Sequence, residues 1–269
     1  AAITANPGKT IYFPRGTYKI TSTLLISQNA TELLGEGSNC TSIYNATAGL
    51  DAIKFYSSST ASAATFLDSC RIKGFYIYRS TAATTGAGVR LVQCNGFRFE
   101  EITIGDCPEG LVIAGGQLSS FENFYIFASG ATFDLSATTN SSLLSFWETP
   151  VDGGLYQPCF TTRISNFAIS GTKKVQTCIF ITNGDGLQFS SAYMNFGSEA
   201  LVRISQGRNG SYVSDVLFTD VYFDSGNPTT GTLYGLHVPD DTFGTAYVYQ
   251  VSLVNCQIGQ TKNIGILVR

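Results

Sequence analysis

Residues 11–43 read IYFPRGTYKITSTLLISQNATELLGEGSNCTSI, and the fold follows from how this stretch is punctuated. Ile11-Tyr12-Phe13 runs into a Pro14-Arg15-Gly16 turn. Tyr18-Lys19-Ile20, Leu24-Leu25-Ile26, Leu34-Gly35-Glu36-Gly37 and Thr41-Ser42-Ile43 follow. Every apolar run is cut short by Gly, Pro, Asn or Ser, and none shows a 3.6-residue period behind a helix cap. These are short strands separated by turns. If the pattern continues along the chain, it predicts a solenoid that lays strand upon strand.

It does continue. A motif of one apolar residue, two polar or small residues and then apolar-x-apolar recurs. It appears as Ile72-Lys73-Gly74-Phe75-Tyr76-Ile77, Phe99-Glu100-Glu101-Ile102-Thr103-Ile104, Phe121-Glu122-Asn123-Phe124-Tyr125-Ile126 and Ile164-Ser165-Asn166-Phe167-Ala168-Ile169. Weaker copies begin at Phe189, Phe218 and Leu253. The third position holds Gly74, Glu101, Asn123, Asn166, Ser191, Asp220 and Asn255. Most of these types tolerate a left-handed backbone or bond their own neighbours, as a sharp bend between strands requires. A second ladder lies upstream of the bends: Ile53-Lys54-Phe55, Val89-Arg90-Leu91, Leu111-Val112-Ile113, Phe133-Asp134-Leu135, Ile179-Phe180-Ile181, Val202-Arg203-Ile204 and Leu236-His237-Val238. Each places two inward residues around one outward residue. Two ladders in phase, with about 22–25 residues per turn where nothing is inserted, predict an all-β, single-stranded parallel β-helix with three strands per coil and roughly nine or ten coils. One domain spans 1–269, with a long inserted loop at about 136–160.

Composition agrees with this. Charged residues are 13%, glycines number 28, and the net charge of −3 offers no general attraction to nucleic acid. No run of 18 apolar residues exists, so no membrane insertion is expected. The first residues lack the basic start and apolar stretch of a signal peptide: a signal has been removed, the piece is an excised domain, or that route was never used. Seven cysteines without C-x-x-C or zinc-ligand spacing read as mostly reduced core residues, which fits folding in a reducing cytosol. Nothing calls for a metal or cofactor.

The opening IYFPRGTYKITSTLLIS…LLGEGSNCTSI resembles the start of pectate-lyase-like right-handed parallel β-helices, especially bacteriophage tailspike and appendage proteins. The likeness is close over about 33 residues, and the coil pattern extends it along the chain. It implies a homotrimer on a virion tail, made in bacterial cytosol (otherwise secreted), with other tail proteins and host surface polysaccharide as partners. It also implies a protein that binds that polysaccharide and depolymerises it, as a glycoside hydrolase or polysaccharide lyase. The polygalacturonase-like segments Asn-Thr-Asp, Asp-Asp, Gly-His-Gly and Arg-Ile-Lys are not present in order, and the dense aspartates of calcium-dependent pectate lyases are missing. No reaction class carries over, and fold alone does not give function.

Geometry must supply the site. The outward residues Lys54, Arg90, Val112, Asp134, Phe180, Arg203 and His237 are expected to form one stripe along the axis, where an extended sugar chain would lie. Its cations suit an anionic glycan, with Arg90, Arg203 and His237 as contacts and Phe180 as a stacking face. An ordinary solvated face or a trimer contact is the alternative. The 136–160 insert holds Trp147 and Tyr156 for stacking on sugars, unless Trp147 simply packs the loop down. Glycoside hydrolysis needs two carboxylates, about 5–5.5 Å apart for retention or 6.5–9.5 Å for inversion. Asp134, Glu148, Asp152 and Asp185 are the candidates. Glu101 and Asp220 read as bend residues, and Glu109 as a plain turn residue. A non-catalytic glycan-binding appendage and a structural virion spacer remain the competing classes.

Overall fold

The structure is a computed structural model of the chain. It describes residues 6–56, 66–79, 82–128, 135, 141–147, 149–150, 156–157, 159–171, 175–195, 197–205, 212–224, 234–238, 248–259 and 264–268. The described chain is all-β and winds as a parallel β-helix. Its first sheet stacks Thr10–Phe13, Glu32–Gly35, Arg71–Arg79, Arg98–Gly105, Ser120–Phe127, Arg163–Ser170, Gln188–Asn195, Val216–Asp224 and Val251–Val254. Its second sheet stacks Leu24–Ile26, Ile53–Tyr56, Ala87–Asn95, Glu109–Gln117, Ser142–Trp147, Thr177–Ile181, Ala200–Ile204, Tyr234–Val238 and Ile264–Val268. Pairing along both stacks is parallel. Among the described residues the antiparallel exception is the small ribbon of Thr149–Pro150 with Tyr156–Gln157.

The recurring motif forms the first sheet. Its three apolar positions stack into three inward columns: Ile72–Phe99–Phe121–Ile164–Phe189–Phe218, then Phe75–Ile102–Phe124–Phe167–Ala192–Val221, then Ile77–Ile104–Ile126–Ile169–Met194–Phe223. All of these are buried. Rings meet down the columns, as Phe124 on Phe167 (5.1 Å) and Phe189 on Phe218 (4.8 Å) show. Burying each Ile, Phe, Val or Met of these columns stabilises the fold by about 1.5–3 kcal/mol. The bend residues all take the left-handed conformation: Gly74 (φ 78°), Glu101 (54°), Asn123 (56°), Asn166 (51°), Ser191 (52°), Asp220 (55°) and Asn255 (51°).

One rung differs from the pattern expected. Leu144-Ser145-Phe146, not Phe133-Asp134-Leu135, lies between Leu111-Val112-Ile113 and Ile179-Phe180-Ile181. Leu135 makes a separate bridge to Val175. Both triplets read apolar-polar-apolar, but the former is flanked by Leu143 and Trp147 and fills the core. The region read as one inserted loop therefore contains a rung of the second sheet.

Candidate functional site

Register turns the outward positions of the second sheet into a continuous row: Leu25, Lys54, Arg90, Val112, Ser145, Phe180, Arg203 and His237. Ser145 occupies the place expected for Asp134. The middle of the row is closed, with Val112, Ser145 and Phe180 each only 1% exposed. Trp147 packs edge-on against Phe180 at 5.3 Å, so the Phe180 ring presents no open stacking face. Two polar clusters remain, one on each side. Arg90 and Arg203 stand four rungs apart, about 19 Å at the inter-strand spacing.

The first cluster lines an open cleft of about 790 Å³ with Leu25, Lys54, Tyr56, Asp51, Arg90 and Glu109 among its walls. Arg90 donates through Nε to Asp51 Oδ2 (2.8 Å) and through Nη2 to Asp51 Oδ1 (3.2 Å) and Glu109 Oε2 (2.6 Å). Asp51 Oδ1 also accepts from the Ala87 backbone N–H at 2.8 Å, which ties the acid to the next rung. Burial works against the Arg90 charge, but Asp51 and Glu109 outweigh it and hold the guanidinium above its ordinary range. Two carboxylate oxygens contacting one nitrogen at 3.2 and 2.6 Å lie within about 5.8 Å of each other. Beside them the Lys54 ammonium sits 4.9 Å from the centre of the Tyr56 ring. Tyr56 is 37% exposed and Leu25 51%.

The second cluster gathers Glu199, Arg203 and His237. Glu199 Oε1 lies 3.0 Å from His237 Nδ1 and 3.6 Å from Arg203 Nη1. A carboxylate accepts, so Nδ1 carries the hydrogen of this contact. The Tyr234 ring lies 4.8 Å from His237, and the Arg203 guanidinium 5.9 Å from Phe180.

The expected site residues are thus brought together in part. Phe180, Arg203, His237 and Trp147 form one patch; Arg90 belongs to the other cluster. Asp185 lies on a separate short strand, Gly184–Asp185, where it accepts from Ser214 Oγ (2.8 Å) and Tyr212 Oη (3.4 Å). Asp134, Glu148 and Asp152 lie outside the described residues, as does the Tyr156 side chain. Sequence reasoning passed over Asp51 and Glu199 and took Glu109 for a turn residue. The available signal was an acid at the start of a rung, three or four residues ahead of the outward position, in Asp51-Ala-Ile-Lys54, Glu109-Gly-Leu-Val112 and Glu199-Ala-Leu-Val-Arg203.

Residues 1–123 match the family model described as rhamnogalacturonase A/epimerase, pectate lyase-like. A comparison with curated proteins finds no match. Among solved structures, the chain is similar to PfbA, a surface adhesin of Streptococcus pneumoniae, with TM-score 0.64 and 12% identity over 100% of this chain and 77% of that one. It is similar to alginate lyase from Paenibacillus sp. str. FPU-7, with TM-score 0.54 and 16% identity over 99% and 94% of the two chains. It is also similar to the tailspike protein of Acinetobacter baumannii phage AM24, with TM-score 0.53 and 13% identity over 98% of this chain and 50% of that one. At such identities the likeness is one of fold. The N-terminal 123 residues carry the pectate-lyase-like sequence pattern, and the chain as a whole is a parallel β-helix of the kind shared by these tailspike, lyase and adhesin neighbours.

Proposed function

We propose that this chain is the β-helical body of a tailspike-like protein that binds surface polysaccharide along its second sheet. The observation that carries this reading is the cleft beside Arg90, where exposed Tyr56 and Leu25 adjoin a packed set of charged hydrogen-bonding groups. A sugar ring has an apolar C–H face and a polar rim, and this wall offers a partner to each. The fold likeness to an alginate lyase, a phage tailspike and a surface adhesin supports the reading. In this role the 269 residues act as one domain, a homotrimer on a virion tail that faces host polysaccharide.

Cleavage of the bound chain is the second reading, favoured by two carboxylates, Asp51 and Glu109, standing side by side in one cleft, as glycoside hydrolysis requires. Against it, both carboxylates are already engaged as acceptors by the Arg90 guanidinium, which a reacting sugar oxygen would have to displace. Asp134, Glu148, Asp152 and Asp185 stand as the alternative acids. The test is binding, reducing-end release and absorbance of unsaturated uronate across bacterial capsular and O-antigen polysaccharides. Wild type is compared with Asp51→Asn, Glu109→Gln, Asp134→Asn, Glu148→Gln, Asp152→Asn and Asp185→Asn. Binding without release identifies a non-catalytic appendage. Release lost in two variants that still fold identifies a depolymerase and its acids. A protein that binds no glycan in the panel defeats the proposal.

A further inference from the structure

The arginines of the lateral row already have acid partners. Arg90 is held between Asp51 and Glu109, and Arg203 shares Glu199 with His237. In the cleft, Lys54 and Arg90 stand against Asp51 and Glu109, so its formal charge sums to zero. A uronate carboxylate entering here would have to draw Arg90 away from three charge-assisted hydrogen bonds, one of them at 2.6 Å. It would also come to rest beside two anions. A hydroxyl meets no such obstacle, because it can donate to a carboxylate lone pair and accept from a guanidinium or ammonium N–H at once.

We infer that the polysaccharide held by this cleft is uncharged, read through pairs of sugar hydroxyls by Asp51, Arg90 and Glu109 and through the apolar face of a ring by Tyr56 and Leu25. The inference rests on the polysaccharide reading above and replaces the anionic glycan that the outward cations alone suggest. It also sets the chemistry of this cleft apart from a site that grips acidic sugars.

The experiment is capture on an array of bacterial polysaccharides sorted into neutral and uronate-bearing polymers, in about 50 and about 300 mM salt. Wild type should prefer neutral polymers, with Kd changing by less than about twofold across that range, because no net charge is screened. Tyr56→Ala should weaken neutral capture about tenfold with an unchanged melting temperature, since its ring is partly exposed and supports little else. Asp51→Asn/Glu109→Gln removes two negative charges and should gain capture of uronate polymers, lost again at high salt. If that pair fails to fold because Asp51 secures the Ala87 N–H, Glu109→Gln alone should show the same gain in smaller measure. Wild-type preference for uronate polymers with steep salt dependence overturns the inference, as does neutral capture unaffected by Tyr56→Ala. Capture of neither class overturns the polysaccharide reading itself, and the inference with it.

Discussion

Arg90 joins three stretches of chain that sequence keeps apart: the acid at Asp51, its own rung, and Glu109. Replacing it with methionine keeps the apolar stem but leaves two half-buried carboxylates within about 5.8 Å of one another. Arg90→Met should lower unfolding free energy by about 1–3 kcal/mol, read from the urea midpoint. This is also the scale at which sequence was least informative. Arg90, Arg203 and His237 were visible as outward residues, because alternation within one strand reveals them. The pairings of Asp51 with Arg90 and of Glu199 with His237 were not, because they span 39 and 38 residues, although each acid stands three or four residues ahead of an outward position in its own rung. Register across rungs makes those pairs, and no local period carries register.

At the scale of the elements, the bend and the column explain most of the fold. An L-residue held left-handed costs roughly 1–2 kcal/mol, less for Asn. Asn166→Val should therefore destabilise by about 1–2 kcal/mol, whereas Ser191→Asn should stabilise by a few tenths; thermal melts check both. The first sheet carries a further device on its outer side. Tyr44, Tyr78 and Tyr76 stack in sequence (5.3 and 4.8 Å), and Tyr76 reaches Phe127 (6.4 Å) across Gly105. A Cβ on Gly105 would lie 2.6 Å from Phe127 Cζ and 2.9 Å from Tyr76 Oη. Gly105→Ala should part those rings and lower the melting point, by about 1–3 kcal/mol in stability. Bends and inward columns were legible because the bend residue types and the alternation sit inside single strands. The rung at Leu144-Ser145-Phe146 was not, since Phe133-Asp134-Leu135 carries the same pattern and only the partner strands distinguish them.

For the whole molecule, the long core sequesters thiols. All seven cysteines are free, and Cys70, Cys94, Cys107, Cys159 and Cys178 are buried. Burial pushes Cys70 from an ordinary value of 9.0 to about 11, and Cys107 and Cys178 to about 12. Below pH 9 these groups are protonated in both states and leave stability unaffected by pH. Above it the unfolded thiols ionise while the folded ones hold their protons, so stability falls by about 1.4 kcal/mol per pH unit per thiol until the folded values are reached. Denaturant midpoints at pH 8 and 10 measure the fall, and Cys178→Ala should make it shallower. The solenoid class was legible from residues 11–43 and the two ladders, because each turn repeats the last. The closed middle of the lateral row was not, since Val112, Ser145 and Phe180 differ from a solvated face only once Trp147 and its rung are in place.

The same packing makes the protein optically two-sided. Its sole tryptophan, Trp147, touches Phe180, which in turn lies under Arg203, so its emission reports on the second sheet at the cluster holding His237. The stacked tyrosines stand on the first sheet, close enough for their transitions to couple, and the signature of that coupling in near-ultraviolet circular dichroism reports on that sheet. A glycan titrated onto the protein will therefore declare by colour which wall it has touched.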